Sequence, residues 1–128
     1  MEAVVYLDTH AVVWLYSGLT EKFSARGVAA IESRDVLVSP IVLLELQYLH
    51  ETGRVHQRPE AVISALEDAV GLRVCELSFH KVVLESVSLT WTRDPFDRII
   101  AAQAGLRKSQ LLTKDRTILS HCKYAFWD

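Results

Sequence analysis

The chain has 128 residues, half of them hydrophobic and 23% charged, which supplies a packed core and excludes an intrinsically disordered chain. Lys plus Arg number 14 against 16 Asp plus Glu, a formal charge of −2. A domain that holds nucleic acid by net charge would be strongly basic, so a phosphate-bearing substrate would need local cations or bound metal ions.

The start, Met1-Glu2-Ala3-Val4, lacks the basic region of a signal peptide. The longest early stretch without charge or proline, 9–20, is too short to span a bilayer, so a cytoplasmic protein without a membrane segment is expected. Residues 4–7 form a continuous apolar run, the signature of a strand buried on both faces of a parallel sheet. Asp8 and Thr9 can cap a helix over 10–16, and Ser24 a second one reaching about residue 33. Residues 35–38 read as another strand. Ser39-Pro40 is a strong helix start, with the helix running to 52 and stopping at Gly53. Pro59 opens a helix closed by Gly71, a strand follows over 73–77, and a further helix over 78–89. Pro95 starts a helix through 106, residues 110–113 give a fourth strand, Asp115 caps a short last helix, and 124–127 suit an edge strand. Strands alternating with helices imply right-handed βαβ units. The expectation is one α/β domain over 1–128, a three-layer α/β/α sandwich around a central parallel sheet.

Four carboxylates carry the chemistry. Ligands of open parallel sheets bind beyond the carboxyl ends of the strands. Asp8 follows the first strand directly and Asp115 follows the 110–113 strand by two residues, so both fall at that edge. Glu45 shares a helical face with Ile41, Leu44, Tyr48 and Leu49, which sets a carboxylate in an apolar stripe. A buried carboxylate needs a cationic partner or a shifted pKa, and an ion pair with Arg or Lys would be the structural explanation. Asp97 lies in the first turn of the 95–106 helix, in line with Ile100, Ala101 and Ala104, whereas Asp94 suits a capping role. Carboxylates gathered in one pocket repel unless protonated or bridged by cations. All-oxygen ligation suits Mg²⁺ or Mn²⁺, and those ions favour phosphodiester hydrolysis. The five histidines have no zinc-site spacing, Cys75 and Cys122 form no CxxC pair, and no Gly-rich phosphate loop exists.

The segments Tyr6-Leu7-Asp8-Thr9-His10, Ser39-Pro40-Ile41-Val42-Leu43-Leu44-Glu45-Leu46, Arg93-Asp94-Pro95-Phe96-Asp97-Arg98-Ile99-Ile100-Ala101-Ala102-Gln103-Ala104 and Leu111-Leu112-Thr113-Lys114-Asp115 resemble, in order, those of PIN-domain proteins of the VapC type. That family comprises ribonuclease toxins of toxin–antitoxin pairs. The resemblance implies a PIN-like fold and an acidic pocket for Mg²⁺ or Mn²⁺. Asp8, Glu45, Asp97 and Asp115 correspond to the catalytic, metal-holding quartet, with Asp94 as a further ligand candidate and Thr113 as a hydroxyl beside the site and a candidate substrate contact. It also implies endoribonuclease activity on RNA, a homodimer, and a small antitoxin that covers the site. Asp8 and Asp97 would hold the principal metal, and in-line attack by water would leave a 5′-phosphate and a 3′-hydroxyl. Arg98 and Lys114 flank the site and could contact the RNA backbone, though solvated surface charge explains them equally well. The alternatives are a non-catalytic partner-binding domain and a receiver-like signalling domain. A receiver needs a phosphoacceptor Asp after a central strand, and the 73–77 strand ends without one. A haloacid-dehalogenase-like phosphatase would want Asp at position 10, which is His.

Overall fold

The computed structural model describes residues 3–128; Met1 and Glu2, part of the start inspected for a signal peptide, lie outside them. The elements are β1 (Val4–Leu7), α1 (Thr9–Tyr16), α2 (Ala25–Ser33), β2 (Asp35–Val38), α3 (Ile41–Glu51), α4 (Pro59–Val70), β3 (Arg73–Val74), α5 (Phe79–Val87), α6 (Pro95–Leu106), β4 (Gln110–Leu112), α7 (Arg116–His121) and β5 (Ala125–Phe126). The strands form a single sheet in the order β3-β2-β1-β4-β5, every neighbouring pair parallel. Helices flank it, giving the α/β/α architecture. The apolar runs at β1 and β2 are the centre of the core: Val5, Leu7 and Val38 are wholly inaccessible.

Register fixes what the sheet presents. Tyr6 lies beside Leu37 on β2 and Leu111 on β4, so these three share a face, and Leu7 beside Leu112 belongs to the other. On the Leu112 face α2 comes so near that a Cβ on Gly27 would stand 3.3 Å from the Leu112 side chain. Toward the Tyr6 face, Ser39 donates to the Gln103 side-chain carbonyl of α6 at 2.8 Å, and the Tyr6 hydroxyl meets the Cys75 sulfur at 3.1 Å. Cys75 and Cys122 are both free thiols.

Several boundaries differ from the sequence expectation. The strand expected over 73–77 is only Arg73–Val74: Cys75 N–H still donates to the Val38 carbonyl, but the chain then leaves the sheet for Ser78, whose hydroxyl caps α5. The helix expected over 78–89 ends at Val87. Pro40 precedes the first residue of α3, and the Ser39 hydroxyl accepts the Ile41 N–H at 3.3 Å. A 3-10 turn over Thr20–Lys22 was not foreseen, since three residues carry no periodicity. The edge strand is present as Ala125–Phe126, and Trp127 beside it is buried, stacked on Phe23 and edge-on to Trp14. Among the described residues no helix is long and apolar enough to cross a membrane.

Candidate active site

From β1 the chain winds to β2 and β3 on one side, then returns to β4 and β5 on the other. The order reverses between β1 and β4, the place where open α/β sheets bind ligands. Because Leu7 is registered with Leu112, the next residues, Asp8 and Thr113, emerge side by side. Asp8 N–H still donates to the Leu112 carbonyl at 3.3 Å, and the Thr113 hydroxyl donates to Asp8 Oδ2. The same hydroxyl oxygen accepts the Asp115 N–H at 3.1 Å. One buried Thr thus fixes two carboxylate-bearing residues. Thr113 is wholly inaccessible, so it positions Asp8 rather than facing a substrate as expected from its place beside the site.

Three of the carboxylates cap helices. Asp8 Oδ1 accepts the Ala11 N–H of α1 at 2.9 Å, Asp115 Oδ1 accepts the Ile118 N–H of α7 at 3.0 Å, and Asp94 Oδ1 accepts the Phe96 and Asp97 N–H groups of α6 at 2.8 and 3.2 Å. Capping accounts for these aspartates locally, since it satisfies free N–H groups at the positive ends of helices. It occupies one oxygen of Asp94 and of Asp115 and leaves Oδ2 of each without a protein partner among the described residues.

Glu45 requires a correction. The stripe that sequence periodicity assigned to it is not the buried side of α3: Leu44 is 44% and Tyr48 49% exposed, while Val42 and Leu46 face the core. Glu45 is half-buried at the flank, and no cationic side chain pairs with it among the described residues. Instead Thr9 donates its hydroxyl to Glu45 Oε1. Sequence reasoning had Thr9 as a cap only; its position next to Asp8 was the available signal. Tyr48 packs edge-on against Phe96 at 5.6 Å between centroids, bringing α3 and the start of α6 together.

The carboxylates act on one another. Asp97 is pushed up to about 7, first by burial and then by the charges of Asp94, Asp115, Glu45 and Asp8. Asp8 is also raised, by burial above all and additionally by Glu45, against the opposing Thr113 hydroxyl, Ala11 N–H and His10. The one ion pair among the described residues, Arg73 with Asp35, lies elsewhere. As placed, no three His, Cys, Asp or Glu side chains of the described residues stand close enough to share an ion. Unneutralised carboxylates repel; Asp8, Glu45, Asp94 and Asp115 lean on a hydroxyl or a helix end instead, while the Asp97 carboxylate has no such partner among the described residues. The residues nonetheless fit a hard divalent cation: the donors are all oxygen, several oxygens are free, and none is ion-paired among the described residues.

A carboxyl whose folded pKa lies above its ordinary value favours the protonated native state, so its stabilisation is complete below the ordinary range and is lost as pH rises through the folded value. The chelator-treated protein should therefore lose thermal stability between about pH 4 and 7 on account of Asp97, with buried Asp8 acting in the same direction. Melting curves across that window test it: an Asp97→Asn profile as steep as the parent's would remove Asp97 as a source.

The two basic candidates separate. Lys114 is exposed, with its ammonium 5.8 Å from the centre of the Trp127 ring, and lines a hollow together with Asp8 and Asp115. Arg98 donates from Nε to the Thr92 carbonyl at 2.6 Å and lines a different hollow with Thr90, Arg93 and Pro95.

Residues 5–124 match the family described as PIN domain. The chain is 35% identical over 121 residues, 91% of each chain, to ribonuclease VapC22 of Mycobacterium tuberculosis. Its fold is similar to that of VapBC2 from Rickettsia felis, solved bound to a DNA fragment from its promoter, with a TM-score of 0.74 at 17% identity over 98% of this chain and 99% of the other. A toxin–antitoxin complex from Klebsiella pneumoniae matches with a TM-score of 0.65 at 20% identity, over 95% of each chain. With the family match spanning nearly all of the sheet and its edge, the chain belongs to the PIN-domain family, among its VapC-type members.

Proposed function

We propose that this protein is a Mg²⁺- or Mn²⁺-dependent endoribonuclease and the toxin of a toxin–antitoxin pair. The observation that carries the reading is the gathering at the switch point of Asp97 with Asp94, Asp115, Glu45 and Asp8, whose charges act on it, none of them ion-paired among the described residues. The similarity to a ribonuclease and to a toxin–antitoxin complex supports the substrate and the partner.

In this reading Asp8 and Asp97 hold the principal metal, Glu45 and Asp115 ligate it directly or through water, and Asp94 is a further candidate. The ion, when bound, supplies a Lewis acid for the scissile phosphate and lowers the pKa of the attacking water. The chain's own residues do the positioning. Thr113 fixes the Asp8 carboxylate and the Asp115 backbone, Thr9 fixes Glu45, and Asp94 anchors the turn that carries Asp97. Asp97, holding a proton near neutrality, must release it for both of its oxygens to serve the ion. Cleavage by in-line attack of water gives a 5′-phosphate and a 3′-hydroxyl. The same reading includes a homodimer, for which Phe79, Leu84 and Val87, all more than half exposed on α5, provide apolar surface, and a small antitoxin that covers the site.

The test is cleavage of single-stranded RNA by purified protein with Mg²⁺ or Mn²⁺ and with chelator. Metal-dependent products bearing 5′-phosphates are expected, with the apparent metal affinity rising as pH passes upward through 7. Full activity in chelator, or none with either metal across neutral pH, would overturn the reading.

A further inference from the structure

A hollow of about 340 Å³ opens directly off the acidic edge and is lined by Asp8, His10, Trp14, Lys114, Asp115 and Arg116. Its lining combines two carboxylates, buried Asp8 and exposed Asp115, with two aromatic rings and two basic side chains. His10 is exposed, with its ring 6.0 Å from that of half-buried Trp14. Trp14 is braced edge-on by Trp127 at 5.6 Å, and Lys22 lies 5.2 Å over its ring. Lys114 and Arg116 are exposed in the same lining, and neither is engaged in an ion pair among the described residues. Two basic side chains thus stand beside an aromatic pair and two carboxylates in one hollow.

We infer that this hollow is a nucleotide subsite for single-stranded RNA, in which a base lies against His10 and Trp14 while a flanking phosphate meets Lys114 and Arg116. The inference rests on the nuclease reading and assigns that same site its recognition surface. A base has a π-face that stacks on aromatic rings without regard to sequence, and a backbone phosphate is attracted to Lys and Arg. The rings and the cations meet both needs at once, with the cations set beside the carboxylates where the scissile phosphate must lie. A base paired within a duplex cannot reach the rings, so the subsite selects unpaired RNA. The Trp127 brace keeps Trp14 fixed, leaving His10 as the adaptable ring of the pair.

His10→Ala and Arg116→Gln are the informative variants, since both side chains are exposed and neither belongs to the core; Trp14→Phe is the milder change at the braced position. Binding is measured with a short mixed-sequence single-stranded oligoribonucleotide and Mg²⁺ in an Asp97→Asn background, and cleavage in the parent background. His10→Ala should weaken binding roughly tenfold, the order lost with one stacking side chain. In cleavage it should raise KM with little change in kcat. Arg116→Gln should lower the slope of log affinity against log salt by about one. The fully paired form of the same RNA should bind worse than the single strand. If the Asp97→Asn protein binds RNA and the parent cleaves it, but neither exposed variant shifts affinity, salt slope or KM, the subsite is overturned and the nuclease reading stands. If the Asp97→Asn protein binds no RNA and the parent cleaves none, the nuclease reading itself fails.

Discussion

Asp97→Asn should abolish RNA cleavage and, in chelator near pH 8, make the protein more stable than its parent. Asparagine keeps the volume of the side chain and removes the charge. Activity should fall by more than about a hundredfold, because losing even an outer partner of a metal ligand costs up to that much. The stability gain arises from the same charge. Asp97 ionises only at about 7 because burial and four neighbouring carboxylates oppose it. Each unit of such a shift corresponds to about 1.4 kcal/mol, but Asp97 is only half-buried and water screens it, so about 1–2 kcal/mol is expected. Melting in chelator and a cleavage assay with metal check both halves. Parent-like cleavage would remove Asp97 from the site; lower stability would show that its charge is not a burden on the fold.

Thr113→Val should move both quantities downward. Valine matches threonine in shape but has no hydroxyl, so Asp8 loses a donor at Oδ2 and the Asp115 N–H loses its acceptor. A buried group left without its partner costs about 1–3 kcal/mol. Cleavage should drop about 10- to 100-fold as Asp8 and Asp115 lose their fixed relation. Thr113→Ser keeps the hydroxyl and should recover most of the activity. A valine variant that matches the parent in melting and in cleavage would show that the hydroxyl contributes nothing. The opposite stability signs at Asp97 and Thr113 separate a ligand that strains the metal-free fold from a group that supports it.

How much was legible beforehand depended on which force decided each position. Asp8 and Asp115 could be placed because an apolar strand, then an acid, is a local pattern, and parallel topology puts both strand ends at one edge. The helix Pro95–Leu106 was legible to the residue, since Pro and a capping Asp mark its start chemically. Glu45 was singled out on a face that turns out to be half open. Periodicity finds an apolar stripe, but α3 has apolar residues nearly all round, and only packing decides that Val42 and Leu46 take the core. The Thr9 and Thr113 hydroxyls were invisible as positioning groups because their partners lie 36 and 105 residues away. Arg98 looked like a substrate contact by adjacency to Asp97; on a helix, adjacent residues point apart, and its guanidinium turns to the Thr92 carbonyl.

The placement of β1 between β2 and β4 has a consequence for biosynthesis. During translation Asp8, Glu45 and Asp97 all leave the ribosome before β4, and until β4 docks, one edge of β1 is unpaired and the Thr113–Asp8 contact does not exist. A nascent chain therefore carries most of its carboxylates before the contact that fixes Asp8 exists, and the acidic edge is completed only when nearly the whole chain has been made. The cost of that delay is an open apolar strand edge, prone to pairing with other chains for as long as synthesis lasts.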